Sequence, residues 1–258
     1  MKIAMINAKG GTAKTTSAVS LSHAIAIKKQ RVLLIDLDPQ ASASLSLGFR
    51  SDSLFPSMAD VLMDKFPIQK AIRKTNVEGV SLLTASMGLC NIDITFASTK
   101  GREHLLGDVL DPVAKNYDVV MFDCPPTLGL LSVNALTASD RFVVPVTPQY
   151  LALEGLSTLM ATIDRIRAGI DCCKTELMGI LLTQVDRRGK ATSEIIDLIR
   201  QNYGNSVFKT EVRINTRLAE APSFGKTIFQ HDWSAPGAQA YQDVAAEIMK
   251  RIKRGDRA

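Results

Sequence analysis

Short apolar runs alternate along the chain with longer stretches in which apolar positions recur every three or four residues. Ile3–Ile6, Arg31–Ile35, Val80–Leu83, Tyr117–Phe122, Arg141–Pro145 and Leu177–Thr183 are continuous rather than alternating, which predicts strands covered on both faces. The longer periodic stretches predict helices over Ser17–Lys29, where Ala18, Leu21 and Ile25 recur, and over Ser57–Asp64 with Ser57 as N-cap. Further helices are expected over Lys100–Ala114, interrupted at Asp111-Pro112, and over Leu128–Ala138, Leu151–Arg167, Ser193–Asn202 and Ala238–Lys253. Ser206–Thr210 reads as one more short strand, and the small, polar Ala41–Leu47 as a mobile segment. Alternating strands and helices imply an α/β fold: a doubly wound, mostly parallel sheet flanked by helices. No repeat, low-complexity tract or linker breaks residues 1–258, so one domain is expected.

Composition narrows this little. The chain is 46% apolar and 22% charged, as expected of a soluble globular protein. No apolar run approaches the ~18 residues of a membrane span, and Met1–Ile6 leads straight into a glycine motif, where no signal peptide fits. Cys90, Cys124, Cys172 and Cys173 lack metal-ligand spacing and read as reduced cytosolic thiols. Met58, Met63, Met87, Met121, Met160 and Met178 fall on apolar faces and are expected to fill core. His23 lies on the first helix, His104 and His231 have no partner in sequence, and none of the three is assigned a function; Trp233, in a polar turn, is expected to pack locally, with an interface anchor as the alternative. Charge changes the picture more. Residues 1–186 balance eighteen Lys/Arg against eighteen Asp/Glu, whereas residues 187–258 hold thirteen against eight, so the whole net +5 lies in the last quarter. Such asymmetry suits a polyanion partner, nucleic acid or anionic membrane.

The candidate chemistry begins at Lys9-Gly10-Gly11-Thr12-Ala13-Lys14-Thr15-Thr16, between the first strand and the first helix. Strand, glycine turn, Lys-Thr and helix is the context of a phosphate-binding loop. Glycines let successive N–H groups converge on phosphate oxygens, and the helix start adds free donors and a positive dipole end. Lys14 would bring charge to the β/γ-phosphates, and the Thr15 hydroxyl would bind Mg²⁺. Phosphoryl transfer also needs a carboxylate for that ion, and Asp123, where the clearest strand stops at Asp123-Cys124-Pro125-Pro126, fits the task. The prolines would stiffen a loop able to sense the γ-phosphate.

The motif departs from G-x-x-x-x-G-K-[ST], because Ala8 and Ala13 occupy its glycine positions and Lys9 adds a second lysine. It resembles instead the deviant Walker A loop, K-G-G-x-x-K-[ST], of the ParA/MinD family of P-loop ATPases, and the small, Soj-like partition members most. Asp36-Leu37-Asp38-Pro39-Gln40, Ala152-Leu-Glu-Gly155, Leu181-Leu-Thr183 and Arg217-Leu-Ala-Glu-Ala-Pro-Ser223 extend the resemblance to about Gly225. The resemblance implies ATP and Mg²⁺ as cofactors and ATP hydrolysis that is weak alone and stimulated by a partner. It implies a nucleotide-sandwich homodimer in which Lys9 reaches the other copy's phosphates. Asp38 would position or activate the hydrolytic water; Asp36 would either support the Mg²⁺ site or simply cap the turn that follows it. Glu211–Thr216 would be the base-contacting loop, with Arg213 and Asn215 at the nucleotide; the family often has proline where Arg213 stands. Arg188 and Arg217 match positions that bind double-stranded DNA without sequence preference, and Arg187, Lys190 and Lys226 would widen the patch. The partners implied are DNA and a ParB-like centromere-binding or adaptor protein, with a cytoplasmic, nucleoid-associated location. Ala13 replaces the commoner family glycine, and Pro39-Gln40-Ala41-Ser42 replaces P-Q-G-N.

Three other readings belong to the same scaffold. One is an ATPase that positions a protein cargo, such as a chemoreceptor cluster or microcompartment. A MinD-like membrane-cycling regulator needs a C-terminal amphipathic helix, for which Ile248, Met249 and Ile252 supply a thin apolar face, so no stable membrane association is expected. An iron–sulfur reductase would need Cys124 to bridge subunits, and an amidoligase would normally bring a further glutamine-hydrolysing domain, for which no length remains.

Overall fold

The continuous apolar runs become strands with both faces covered. The computed structural model describes residues 1–171 and 173–255; Cys172 and residues 256–258 lie outside the described residues. Among these, seven strands form one sheet: β1 (Lys2–Met5), β2 (Val32–Asp36), β3 (Arg73–Lys74), β4 (Val80–Leu83), β5 (Val119–Asp123), β6 (Arg141–Val146) and β7 (Glu176–Leu182). Their order is β3-β4-β2-β5-β1-β6-β7, with β3 antiparallel to β4 and every other pair parallel. The helices are α1 (Lys14–Ile27), α2 (Ser42–Ser46), α3 (Met58–Met63), α4 (Ile68–Ala71), α5 (Ile92–Thr95) and α6 (Leu105–Ala114). They continue with α7 (Leu130–Ala138), α8 (Ala152–Gly169), α9 (Lys190–Tyr203), α10 (Thr216–Glu220), α11 (Ile228–His231) and α12 (Pro236–Gly255).

Strand side chains alternate between two apolar layers. Ile3, Met5, Leu34 and Met121 join Leu21 and Ile25 of α1 and Tyr241, Val244 and Ile248 of α12. Ala4, Leu33, Phe122 and Val144 join Met58, Leu110, Leu131 and Leu159 from α3, α6, α7 and α8. α1 is covered nearly all round, and its buried Ser17, Ser20 and Ser22 keep it slim where α12 crosses it. The Ser17 and Tyr241 hydroxyls meet there at 2.9 Å. Ile248 is buried in this layer, with Met249 and Ile252 packed against it, so the thin apolar face of the C-terminal helix serves internal packing. Among the described residues no helix is long and apolar enough to cross a membrane.

Several local expectations change. α1 begins at Lys14 rather than Ser17, so Lys14, Thr15 and Thr16 form its first turn. Ala41–Leu47 folds into α2 with Ala43 and Ser44 buried. α6 runs through Pro112 and stops two residues later, where a missing N–H removes only a last-turn bond. Ser206–Thr210 is no strand: a 3₁₀ turn at Gly204–Ser206 leads to a single bridge between Val207 and Ile180. Phe208 N still reaches Ile180 O on β7, but the N–H groups of Lys209 and Thr210 go to the Glu247 carboxylate on α12, both at 2.9 Å, instead of to a strand. Met87 is 60% exposed rather than core. Ser57 does cap α3, with its N–H donating to Asp60 at 2.7 Å.

His23 meets the Thr227 hydroxyl at 2.6 Å, and its ring meets Phe229 edge-on. Burial lowers its pKa from 6.5 to about 4. Between these values the unfolded chain binds the proton more readily, so stability is full above pH ~6.5 and is lost as pH falls toward 4. We expect this group to contribute roughly 1–2 kcal/mol of acid-side loss, after allowing for partial solvation. Urea midpoints from pH 7 to 4.5 should fall more steeply for the wild type than for His23→Gln; parallel slopes would assign the loss elsewhere.

Candidate functional site

β1 lies between β5 and β6, and the chain leaving its carboxyl end turns over the sheet before entering α1. Crevices at the carboxyl ends of parallel strands are where open α/β sheets bind ligands. The turn uses two left-handed residues, Gly11 at φ +72° and Ala13 at φ +59°. Glycine takes this conformation freely, whereas alanine pays roughly 1 kcal/mol for it. Ala41, which precedes α2, is left-handed too, at φ +54°. The two places where an expected family glycine is alanine therefore keep a backbone that glycine would suit. A Cβ built on Gly10 or Gly11 meets nothing within 4 Å, so the crest is open to an incoming group.

The two lysines of the loop occupy unlike settings. Lys14 is 7% exposed, with its ammonium donating to the Lys9 carbonyl at 3.1 Å. Burial lowers its pKa, and Asp123, Cys124 and Asp38 pull the other way. Lys9 is exposed and donates to the Gln149 side chain at 3.0 Å.

Two acids end neighbouring strands in parallel register, Asp36 beside Asp123. Neither Asp123 oxygen has a hydrogen-bond partner, although both are buried. Burial first, then the charge of Asp36, raises its pKa well above the ordinary carboxylate value, while the Thr15 hydroxyl and Lys14 temper the rise. An orphaned buried carboxylate beside a threonine hydroxyl suits a hard cation. The described residues hold no cluster of three or more acidic, His or Cys ligands, so such an ion would need further oxygens from a phosphate or water. That donor set matches Mg²⁺, which keeps waters and takes one or two carboxylates plus substrate phosphate.

Asp36 differs. Its oxygens accept from Asp38 N at 3.1 Å, Ser44 N at 2.8 Å and the Ser44 hydroxyl at 2.7 Å, which ties α2 to the end of β2. Burial chiefly pushes its pKa up to about 6 against those three donors. Asp38 is half-buried and accepts from Gln40 N at 2.9 Å, and its charge is felt at Lys14, Asp123 and Cys124. Cys124 is buried with its thiol pKa raised by that burial, which is unlike a cluster ligand.

Glu211–Thr216 lies against the residues after β7: Val185 N donates to Val212 O, and Ile214 N to Val185 O. A cavity of about 260 Å³ opens between this loop and the start of α1, lined by Ala13, Thr16, Gln184, Arg213, Asn215 and Tyr241 among others. Asn215 spends its carbonyl on capping α10, accepting from Leu218 N at 3.2 Å, which leaves its amide nitrogen for an occupant. Arg188 lies in the turn between β7 and α9 and Arg217 in the first turn of α10, and both meet their own chain's acids. Arg188 holds Asp186 at 2.6 Å, and Arg217 holds Glu220 at 2.9 Å and Asp232 at 3.6 Å. Arg187 pairs with Glu211 at 2.5 Å.

Sequence reasoning missed three groups at the loop: Gln149 on Lys9, Ser44 on Asp36, and the pair Thr183 and Gln184, which donate to the carbonyls of Thr12 and Gly11 at 3.1 Å each. Only Thr183 carries a signal in the sequence, since it stands in the Leu181-Leu-Thr183 block.

Comparison with known proteins agrees with this geometry. The family described as an AAA domain matches residues 1–178. The chain is 40% identical over 248 residues to the sporulation initiation inhibitor protein Soj of Bacillus subtilis, covering 95% of this chain and 97% of that one. It is 38% identical over 251 residues to the chromosome partitioning protein ParA of Caulobacter vibrioides, with 96% and 94% covered. The solved cobyrinic acid a,c-diamide synthase of Mycobacterium smegmatis with bound ADP and magnesium superposes with a TM-score of 0.85 at 30% identity, covering 98% of this chain and 96% of that one. A protein of that name fits the same length, so length does not set the amidoligase reading aside. The higher identity to partition proteins weighs against it.

Proposed function

The chain belongs to the ParA/Soj family of chromosome-partitioning ATPases, and from that premise we propose that Mg-ATP closes two copies into a sandwich dimer that holds DNA without sequence preference. It is an ATPase with ATP and Mg²⁺ as cofactors. In this reading the loop's N–H groups and Lys14 hold the β/γ-phosphates, and Thr15 and Asp123 hold the ion. Asp38 orients the attacking water. Positioning and charge neutralisation do most of the work in such a transfer. Arg213 and Asn215 meet the base, and Lys9 reaches the other copy's phosphates.

The observation that carries the reading is the split between the lysines. Lys14 sits buried over its own chain's carboxylates, whereas Lys9 stands exposed, bonded to Gln149 next to Tyr150, 91% exposed, and Leu151, 58% exposed. Large exposed apolar side chains beside a projecting cation suit a copy-to-copy contact. Arg188 and Arg217 of both copies then grip phosphate backbone, and a ParB-like partner speeds hydrolysis and release from the nucleoid. Repeated release and rebinding moves a plasmid or chromosomal centromere complex.

DNA retention should be strong with a non-hydrolysable ATP analogue and weak with ADP. Arg188→Ala or Arg217→Ala should weaken it several-fold on every sequence, with the salt slope falling by about 1 for each phosphate that a copy no longer grips. Retention indifferent to nucleotide would end this reading.

A further inference from the structure

We propose that Gln184 is a positioning residue for nucleotide binding: with Thr183 it holds the crest of the phosphate loop in its anion-binding form. A backbone nest binds an anion only while its N–H groups converge and its carbonyls point away. Here two successive carbonyls are held from outside, Gly11 O by Gln184 Nε2 and Thr12 O by Thr183 Oγ1, each at 3.1 Å. Only the nitrogen of an amide can donate to a carbonyl, so the orientation of Gln184 is fixed by its partner. Gly10 and Gly11 carry no side chains to pack, and even a Cβ there would touch nothing within 4 Å. Lys14 Nζ and the Thr12 hydroxyl hold the Lys9 carbonyl at the start of the loop, whereas the Gly11 and Thr12 carbonyls at its crest are held by these two outside donors.

Gln184 is left-handed, at φ +50°, an unfavourable conformation for a non-glycine residue and one that persists where the surroundings impose it. The residue after it belongs to the base-loop pairing, through Val185 N to Val212 O at 3.1 Å and Ile214 N to Val185 O at 3.2 Å. Gln184 also lines the 260 Å³ cavity with Arg213 and Asn215. One exposed side chain thus joins the phosphate crest to the wall of the base cavity, and its role is to keep the crest ready before the nucleotide arrives.

This rests on the reading of the loop as a nucleotide site, and the test separates the two. Mg-tripolyphosphate, which has no base, and Mg-ADP are titrated by calorimetry into the wild type, Gln184→Leu and Thr183→Val. Loss of one neutral hydrogen bond should weaken both ligands by the same factor, about three- to tenfold. KM for ATP should rise by a similar factor with kcat little changed, and the melting temperature of free Gln184→Leu should stay within about 2 °C, as for other exposed substitutions. Unchanged affinity of Gln184→Leu for both ligands would overturn the proposal. So would a loss confined to ADP, which would make Gln184 a base contact only. A wild type that bound neither ligand would remove the nucleotide reading itself, and this proposal with it.

Discussion

Lys14→Ala should lower ATP turnover by at least about a hundredfold, the usual scale for removing one preorganised charge from a phosphoryl-transfer site. Three features make this residue decisive. It starts α1, and its ammonium donates to the Lys9 carbonyl within the loop. It is 7% exposed, where solvent cannot replace the missing charge. It also offsets the negative charge of Asp123 and Asp38. Lys14→Arg tests whether geometry matters beyond charge: a planar guanidinium is not a compact ammonium, and its turnover should also fall sharply. Phosphate release is the readout, with far-ultraviolet circular dichroism to verify folding. Turnover within tenfold of wild type in Lys14→Ala would place the chemistry elsewhere.

Asp123→Asn should move stability and function in opposite directions. The free chain buries a carboxyl group with no hydrogen-bond partner, and replacing it with a neutral isostere relieves that cost, by roughly 1–3 kcal/mol at neutral pH. The melting temperature should rise by several degrees, since one kcal/mol is worth about 2–4 °C at this size. The sign with pH follows from the raised folded-state pKa. A carboxyl group of this kind stabilises the fold most below its unfolded pKa of ~3.9, and that contribution is lost as pH rises toward the folded value. The advantage of Asp123→Asn should therefore be larger at pH 8 than at pH 5. Magnesium should then add little to nucleotide affinity, and turnover should fall at least about a hundredfold. Melting curves with and without Mg-ADP at the two pH values check both parts. A destabilised variant, or one with undiminished magnesium dependence, would contradict the assignment.

Which of these features were legible beforehand depended on whether their cause was local. Lys9 to Thr16 could be read because phosphate chemistry demands glycine, lysine and hydroxyl in a fixed order between a strand and a helix. Asp123 could be read because an apolar run ended on an acid. The left-handed backbone at Ala13 and Ala41 was visible only as two departures from a glycine pattern, and the structure gives their shared reason. Side-chain choices made across the fold were not legible. Ser44 takes Asp36, Gln149 takes Lys9, and Glu247 replaces a strand partner at Lys209 and Thr210, over separations of 8, 140 and 37–38 residues. The pairing of the basic loops was partly visible, since Asp186 stands two residues before Arg188 and Glu220 three after Arg217. Such exposed pairs are worth at most about 1 kcal/mol each, so they do not bar the arginines from a phosphate backbone.

In this mechanism a triphosphate bound at the start of α1 joins two copies through Lys9. Light scattering reads this as solution mass, with Mg²⁺ and a non-hydrolysable ATP analogue, for the wild type and Lys9→Ala. The wild type should show twice the mass of one copy with the analogue and one copy with ADP, and Lys9→Ala should show one copy with either. A single-copy mass for the nucleotide-loaded wild type, or full dimerisation of Lys9→Ala, would contradict it.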